Sequence, residues 1–154
     1  MAETRNRYNG LALSITEVNA LEVLEGLLRA NGSLQEGEAI PFALKDKLDI
    51  RDSRVGFYAE NHSVVALSVR YCALTALPDS LGQLTNLRQL DVTGNQLTSF
   101  PESLGNLIQL KKLYVDENQL TALPESLENL VHLEEMHVDE NRLVSLPENI
   151  GQLT

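Results

Sequence analysis

Short stretches of alternating apolar and polar residues fill the second half of the chain. In "LRQLDVTGNQL", residues 87–97, Leu90 and Val92 are separated by the polar Gln89, Asp91 and Thr93. An alternation with a period of two residues is typical of a strand that is buried on one face only. The pattern therefore predicts a short strand whose apolar side chains point into a core and whose polar side chains point to water.

The stretch after each alternation has a different pattern. In "LTSFPESLGNL", residues 97–107, Pro101 stands where a helical or irregular turn would begin, and its missing N–H costs nothing there. Leu104 and Leu107 are three residues apart, as on one side of a helical turn. This half of the unit is predicted to carry the chain back over the opposite side of the molecule.

The alternation and the return stretch recur together every 23 residues. The asparagines Asn95, Asn118 and Asn141 mark the period, and Cys72 occupies the equivalent place one step earlier. The period defines four units, 64–86, 87–109, 110–132 and 133–154. One unit cannot bury its own leucines, whereas stacked units share a continuous core with parallel strands about 4.8 Å apart.

An asparagine at the end of each strand, repeated at a fixed period, predicts a structural ladder. A side chain turned inward at that place can bond the backbone groups of the turn in unit after unit. The predicted ladder consists of Cys72, Asn95, Asn118 and Asn141, in which the cysteine is a smaller and weaker substitute.

The combined pattern L-x-x-L-x-L-x-x-[N/C]-x-L, followed by L-P-x-x-[LI]-x-x-L, resembles the leucine-rich repeat family over residues 64–154. The "LPESLGNL" form is similar to the 23-residue repeats of plant intracellular proteins, Ras-pathway scaffolds and many bacterial and archaeal proteins. The resemblance implies an α/β solenoid with a parallel sheet on its concave side. It also implies binding of other proteins through that concave strand face, and no catalysis.

Residues 1–63 do not follow the repeat and are expected to form an N-terminal cap over the open core of the first unit. Ser14 and Glu17 have the spacing of a capping box and predict a helix that ends at Asn31 and Gly32. The apolar positions of this helix are Ile15, Val18, Leu21, Leu24 and Leu28.

Two further elements are predicted in this segment. The stretch "PFALKDKLD", residues 41–49, predicts a second short helix. The stretch "GFYAENHSVVALSV", residues 56–69, predicts a β-hairpin with its turn at residues 60–63. The alternative to a cap is that the face of the first helix docks a partner.

The polar strand positions line up in columns across the units and form the candidate partner-binding surface. Towards the last two units this surface becomes acidic, and Tyr114 is a candidate aromatic anchor among the carboxylates. Asp116 and Asp139 are expected about 5 Å apart, where they repel by about 0.8 kcal/mol in a water-like dielectric. The candidate partner-binding residues are Arg70, Gln89, Asp91, Thr93, Lys112, Tyr114, Asp116, Glu117, Glu135, His137, Asp139 and Glu140.

Two other interpretations of the acidic surface stand beside partner binding. The surface can be a solvated face that serves solubility alone. A metal site around His137 is disfavoured, because strand residues spread their carboxylates along a sheet instead of converging on one point. The sequence has no glycine-rich phosphate loop, zinc-ligand spacing or nucleophile elbow, so no catalytic residue, metal or cofactor is predicted.

Charge and cysteine content narrow the class of partner and the compartment. The 154 residues include 22 acidic residues against 12 Lys and Arg, a formal charge of -10 that repels nucleic acid and anionic membranes. A protein partner with a basic surface is therefore expected. Cys72 is the single cysteine, which excludes an intramolecular disulfide and suits a reducing compartment. With no apolar run of signal-peptide length near the N-terminus, a cytoplasmic location is expected.

The sequence predicts a non-catalytic protein–protein interaction module, and two alternatives stay open. In one, the repeats select the partner of a larger signalling protein that carries a GTPase or ligase domain beyond Thr154. In the other, the chain forms a homodimer through its C-terminal repeat. The second arises because four apolar residues would have no covering unit there, namely Leu143, Leu146, Ile150 and Leu153.

Overall fold

The computed structural model describes residues 5–42 and 53–147, with side chains given from Tyr8 onward. In chain order the strands and the α-helix are β1 (Arg5–Tyr8), β2 (Leu11–Ser14), α1 (Ile15–Ala30), β3 (Val55–Glu60), β4 (Ser63–Val69), β5 (Gln89–Asp91), β6 (Lys112–Tyr114) and β7 (Glu135–His137). Three 3₁₀ helices connect β4 to β7: Asp79–Gln83, Glu102–Asn106 and Glu125–Asn129.

Strands β3 to β7 form one sheet in the order β3-β4-β5-β6-β7. β3 and β4 are an antiparallel hairpin, and β4 to β7 run parallel. In the parallel part, Leu67 pairs with Leu90, Leu90 with Leu113, and Leu113 with Met136. Positions 23 residues apart therefore lie side by side, so each unit adds one strand to the sheet and one layer to the core.

The return segments follow the predicted pattern of a proline and two inward leucines. In the second unit Pro101 is the N-cap of the 3₁₀ helix, with φ -69° and ψ 146°, and its carbonyl accepts a hydrogen bond from Leu104 N at 3.0 Å. Leu104 and Leu107 are both fully buried. A proline fits at this place because its fixed φ suits the start of the turn and no N–H is needed.

Two glycines let successive return segments approach closely. A Cβ built on Gly82 would lie 2.5 Å from the carbonyl oxygen of Ser103, and one on Gly105 would lie 2.6 Å from the carbonyl oxygen of Ser126. Neither glycine has a positive φ. Glycine is therefore present at these positions because the next unit needs the space, and not because the backbone needs a left-handed conformation.

The asparagine ladder closes the turn that follows each strand. Asn95 Oδ1 accepts hydrogen bonds from the backbone N–H of Cys72 at 3.1 Å and of Leu74 at 3.0 Å. Its Nδ2 donates to the carbonyls of Val69 and Val92, both at 2.8 Å. One amide thus satisfies buried backbone groups of its own unit and of the unit before it.

The same bonds recur one and two units later. Asn118 accepts from Leu97 N at 3.1 Å, and Asn141 accepts from Leu120 N at 3.1 Å. Both asparagines also donate to Val115 O, at 3.0 Å and 2.9 Å. The ladder therefore links the units in an unbroken series of bonds.

The N-terminal segment joins the first unit where the ladder ends in Cys72. The Cys72 side chain is fully buried, and burial raises the pKa of its thiol. Its carbonyl accepts from Asn31 Nδ2 at 2.6 Å and from Ser33 Oγ at 3.0 Å. Asn31 is the C-cap of α1, so the end of this helix is bonded directly to the first repeat unit.

Helix α1 begins with the predicted capping box. Ser14 Oγ accepts from Glu17 N, and Glu17 Oε2 accepts from Ser14 N at 3.2 Å. The other oxygen of this carboxylate accepts from Val64 N, at the start of the first unit, at 2.9 Å. Val18, Leu21, Leu24 and Leu28 are buried as expected, whereas Ile15, the first residue of the helix, is exposed.

A buried polar network holds the earliest strands against α1. Tyr8 Oη donates to Glu25, whose Oε1 also accepts from Ile40 N at 2.9 Å and whose Oε2 accepts from Arg29 at 2.9 Å. Burial and the neighbouring carboxylate raise the pKa of Tyr8 above its usual range. Both oxygens of the Glu25 carboxylate are hydrogen-bonded, which is the condition for burying a carboxylate.

The β1–β2 hairpin was not predicted. Asn9 and Gly10 form its two-residue turn, both with positive φ, at 49° and 83°. An Asn-Gly pair is the strongest short-range hairpin signal, so the sequence held the information. The predicted hairpin of β3 and β4 is present, with Asn61 and His62 at positive φ in its turn.

Some predictions lie wholly or partly outside the described residues. The second short helix, residues 41–49, is described only at Pro41 and Phe42, and Phe42 forms an isolated parallel bridge with Phe57. At the other end, Ile150 and Leu153 are outside the described range, Leu143 is partly buried and Leu146 is exposed.

One hydrophobic core runs through the described residues, from Tyr8 to Leu133. It crosses the boundary between residues 63 and 64, because α1 packs against the first 3₁₀ helix and β3 pairs with β4. No helix in the described part of the chain is long and apolar enough to cross a membrane.

Replacing Asn118 with alanine should lower the free energy of unfolding by about 1–3 kcal/mol, because Leu97 N and two carbonyls lose their partner inside the core. Urea denaturation followed by circular dichroism measures the change. Asn106→Ala is the matched control, since Asn106 is exposed. Equal losses in the two variants would contradict the structural role of the ladder.

A pair of glycine substitutions separates close packing from helix propensity. Gly82→Ala should destabilise the fold by about 1–3 kcal/mol, because its Cβ would meet Ser103. Gly26→Ala should be neutral or stabilise by up to about 1 kcal/mol, because it lies within α1 with no atom in reach of a Cβ. Thermal unfolding of both variants gives the comparison, and a stable Gly82→Ala would show that neighbouring units are free to separate.

Candidate partner-binding surface

Two groups of residues on neighbouring units form the candidate partner-binding surface. The polar sheet face consists of the strand residues beside the core leucines, and the loop row consists of the residues just beyond the strands. The polar sheet face has an outer column, Ala66, Gln89, Lys112 and Glu135, and a middle column, Ser68, Asp91, Tyr114 and His137. It continues at the strand exits, two residues further along each unit, with Arg70, Thr93, Asp116 and Asp139. The loop row comprises Tyr71, Gly94, Glu117 and Glu140.

The middle column of the polar sheet face is less accessible than predicted. Asp91 is 1% exposed and Tyr114 is 3% exposed, and Ser68 is fully buried. Thr93, one step beyond Asp91, is also buried. The expectation that Asp91, Thr93 and Tyr114 face solvent was therefore wrong, because the period of two predicts only which side of the strand a residue takes. Tyr114 does not offer an exposed ring as an anchor.

Asp91 is held by local bonds inside this face. Its Oδ1 accepts from Thr93 N at 3.0 Å, and its Oδ2 lies 3.4 Å from Arg70 Nε. Arg70 is also in position for a cation–π contact, with Cζ 5.4 Å from the centroid of the Tyr71 ring. The positive charge of Arg70 therefore offsets the buried charge of Asp91.

The outer column of the face carries a charge pair between the last two units. Lys112 Nζ lies 2.8 Å from Glu135 Oε2. The hydrogen bond between them raises the pKa of Lys112 and lowers the pKa of Glu135. Glu135 Oε1 also lies 3.1 Å from His137 Nε2. Both partners are partly exposed, so the pair contributes little to stability.

The Asp116 carboxylate, at the exit of β6, lies against the backbone and the imidazole of the next unit. Asp116 Oδ1 accepts a hydrogen bond from Asp139 N at 2.8 Å, and Asp116 Oδ2 lies 3.9 Å from His137 Nδ1. The His137 ring meets the Tyr114 ring edge to face, with centroids 5.1 Å apart. The backbone N–H of the next unit therefore binds one carboxylate and orients it.

The loop row has a left-handed backbone in every unit. The φ angles are 50° at Tyr71, 72° at Gly94, 53° at Glu117 and 55° at Glu140. Tyr71 N, Gly94 N and Glu117 N each donate to a carbonyl one unit further on, at 2.9 to 3.0 Å. These bonds hold the row in a backbone conformation that is otherwise unfavourable for tyrosine and glutamate.

Tyr71 is the functional candidate that the sequence analysis missed. Its ring lies where a side chain of Gly94 would be, since a Cβ on Gly94 would be only 2.1 Å from Tyr71 Cδ1. The ring thus crosses the second unit, and Tyr71 Oη donates to Glu117 Oε1 at 2.9 Å in the third. This hydrogen bond raises the pKa of Tyr71. The available signal was the coincidence of a tyrosine with a glycine exactly one period later.

A metal site in the described part of the chain would need several ligand side chains that converge on one point. No group of three or more His, Cys, Asp or Glu residues there could hold a metal ion. The charged residues spread along the strands and the loop row, which suits contact with an extended surface more than with a small substrate.

The repeat pattern, the parallel register and the asparagine ladder are matched by a known family. The leucine-rich repeat region matches residues 66–154, more than half of the chain. The chain belongs to the leucine-rich repeat family. The predicted membership is confirmed, and leucine-rich repeat proteins are typically non-catalytic interaction modules. Among curated proteins, none matches this chain.

Solved structures of leucine-rich repeat proteins are similar to this chain. One is a leucine-rich repeat protein of Leptospira interrogans, with 42% sequence identity and a TM-score of 0.51 over 53% of this chain and 21% of that one. A second is an internalin of Listeria monocytogenes, with 27% identity and a TM-score of 0.45 over 58% of this chain and 32% of that one. This leucine-rich repeat chain therefore spans less than a third of the length of either.

A third similarity concerns the fold alone. The BIR3–SERK2 complex from Arabidopsis thaliana matches with 19% identity and a TM-score of 0.54, over 88% of this chain and 88% of that one. Together with the Leptospira protein it supports a leucine-rich repeat fold for this chain.

Removing the cation beside Glu135 should shift its titration in a predictable direction. In Lys112→Met, the pKa of Glu135 should rise towards the ordinary value of a glutamate, because the hydrogen bond that lowers it is lost. Because folding lowers the pKa of Glu135, the pair stabilises the fold at pH values above the pKa that this glutamate has in the unfolded chain. The stabilisation is lost as the pH falls through the pKa of Glu135 in the folded protein.

Carbon-detected NMR of the glutamate carboxyls measures this shift. Lys111→Met is the control, because Lys111 pairs with Glu134 at 2.6 Å and should leave Glu135 unchanged. An unchanged Glu135 titration in Lys112→Met would contradict the pairing.

Proposed function

We propose that this chain is a non-catalytic module that binds a protein with a basic surface through the polar sheet face and the adjoining loop row. Leucine-rich repeat proteins in general bind other proteins, so the class of function comes with the family. The part specific to this chain is the choice of surface and the charge of the partner.

One observation carries this proposal. Four carboxylates, those of Asp116, Glu117, Asp139 and Glu140, lie at one edge of the last two units. Among the described residues, none of the four lies within ion-pair distance of a lysine or arginine. The remaining acidic groups of the surface are compensated, Asp91 by Arg70 and Glu135 by Lys112. The uncompensated charge therefore has a definite place and favours a cationic partner.

The accessible part of the proposed surface is smaller than the sequence analysis expected. Gln89, Lys112, Glu135 and His137 are partly exposed along the strands, and Glu117, Asp139 and Glu140 are exposed beyond them. We place the partner over these accessible side chains, which it can reach without displacing the buried Ser68, Asp91 and Tyr114.

Two other proposals remain beside this one. The repeats can be the partner-selecting segment of a larger signalling protein with a GTPase or ligase domain. The chain can also associate with a second copy, which is favoured by the exposed Val144 and Leu146 in the last unit. A cytoplasmic location is also a proposal, based on the single cysteine.

Reversing the charge at the strand exits tests the proposed surface. The double variant Asp116→Lys and Asp139→Lys should fold normally, because both side chains lie outside the hydrophobic core, and should retain about a tenth or less of the partner captured by the wild type. Affinity capture from a lysate, quantified by mass spectrometry, compares the sets of bound proteins.

The matched control reverses two charges on the opposite side of the units. Glu102→Lys and Glu125→Lys change the net charge equally but lie in the second and third 3₁₀ helices. Capture that survives in the strand-exit variant, or falls equally in both variants, would move the binding site away from the proposed surface.

A further inference from the structure

The N-terminal segment contains two asparagine–glycine pairs, Asn9–Gly10 and Asn31–Gly32, and the repeat units contain none. Asparagine is a thermolabile residue, and its side-chain amide is lost fastest where the next residue is glycine, which has no side chain to obstruct the reaction. In the repeats every asparagine, including those of the ladder, is followed by leucine, glutamine, arginine or isoleucine. The sequence therefore confines this chemistry to the N-terminal segment.

Asn9 and Gly10 form the exposed turn of the β1–β2 hairpin. A Cβ built on Gly10 would have no described atom within 4 Å, so nothing packs against the turn at this place. The Gly10 N–H donates to no acceptor among the described residues. The Asn9 side chain is held there by a single hydrogen bond, from Nδ2 to Ile40 O at 2.8 Å. Opening that bond leaves the amide free to rotate.

The Asn31–Gly32 pair has the same two residues but is held more firmly. Asn31 Nδ2 donates to Cys72 O at 2.6 Å, and Asn31 Oδ1 accepts from Ser33 N at 3.1 Å. The Gly32 N–H, which belongs to the nitrogen that would attack, donates to Arg29 O at 3.0 Å. Because three bonds must open here and one in the hairpin turn, the reaction is expected to be slower at this pair.

Loss of the Asn9 amide needs no reagent other than water. Gly10 N gives its proton to solvent and attacks Cγ of Asn9, and a cyclic succinimide forms as ammonia leaves. Water then opens the ring at one of its carbonyl carbons. The product is either aspartate or isoaspartate, in which the main chain continues through the side-chain carbon. Asparagine and water thus give the acid and ammonia, with no oxidation or reduction.

Both products remove the contact that the amide makes. A carboxylate has no N–H to donate to Ile40 O, and its charge is repelled by that carbonyl oxygen. Isoaspartate also lengthens the turn by a backbone carbon, and the register of a hairpin depends on the length of its turn. Ile40 N is bonded to the buried Glu25, so the change occurs beside the network that holds the first strands against α1.

We propose that Asn9 is a site of spontaneous deamidation, which loosens the β1–β2 hairpin with time and leaves the repeat units intact. The inference does not rest on the proposed function, because the proposed partner-binding surface lies in the repeat units.

Incubating the full chain in mildly alkaline buffer made with heavy-oxygen water tests the reaction, because opening of the ring transfers the isotope to the product. Peptide mapping by mass spectrometry locates the label. Asn9 should gain it about tenfold or more faster than Asn31, where two additional hydrogen bonds must open. The asparagines of the repeats should gain none over the same period. An unlabelled Asn9, or equal rates at the two pairs, would overturn the proposal.

The same incubation in urea is the control for the role of the fold. The unfolded chain has lost the bonds of both pairs, so Asn9 and Asn31 should then react at similar rates. A ratio of rates in urea equal to that in the folded protein would show that the fold does not select the site, and the structural argument would fail.

Two substitutions test the effect on the hairpin. Asn9→Asp reproduces one product, and Asn9→Gly removes the amide without adding charge. Asp-Gly and Gly-Gly both suit a two-residue hairpin turn, so both variants keep it. Hydrogen exchange at the Ile40 amide and in β2 should accelerate by about fivefold or more in Asn9→Asp and by less in Asn9→Gly.

The amides of β5 and β6 report on the repeat units in the same experiment. Their exchange should be unchanged in both variants, because the hairpin lies outside the five-stranded sheet. Unaltered exchange at Ile40 in Asn9→Asp would contradict the loosening of the hairpin. Acceleration throughout β5 and β6 would contradict its confinement to the N-terminal segment.

Discussion

The fold depends on how the backbone groups of the turn after each strand are satisfied inside the core. A leucine-lined turn buries amides and carbonyls that have no strand partner, and buried groups of this kind are costly when left unbonded. The side chain of Asn95 bonds four of them, one in its own unit, Val92 O, and three in the unit before it. Each unit is therefore completed by an asparagine that belongs to the next.

This dependence explains why the array begins as it does. Cys72 cannot supply an amide, and its unit has no repeat before it, so different groups take over. The C-cap Asn31 and the neighbouring Ser33 donate to the Cys72 carbonyl, and the capping-box carboxylate of Glu17 accepts from Val64 N. Both ends of helix α1 are thus hydrogen-bonded to the backbone of the first unit, although the sequence of the helix does not follow the repeat pattern.

Local periodicity accounts for what the sequence predicted well. The strands, the proline-led turns and the hairpin of β3 and β4 each follow from patterns within a few residues, and the 23-residue period then sets which residues are neighbours. The features that the sequence did not predict depend on which side chains of adjacent units come into contact. Asp91 lies against Arg70, Tyr114 against His137 and the Tyr71 ring over Gly94, and in each case the neighbour belongs to the adjacent unit. The β1–β2 hairpin differs, because its Asn-Gly turn was present in the sequence and was overlooked.

Contact across Gly94 also limits how freely such an array can be rearranged. The units of a repeat protein are often treated as interchangeable, but here they are not. The second unit needs a glycine, Gly94, beneath the ring of Tyr71, and the third needs a hydrogen-bond acceptor, Glu117, for the Tyr71 hydroxyl. Exchanging these two units would place the Glu117 side chain in the space that the ring occupies. The order of the repeats is thus itself part of the surface chemistry, and a shuffled or consensus version with the same core would display a different face.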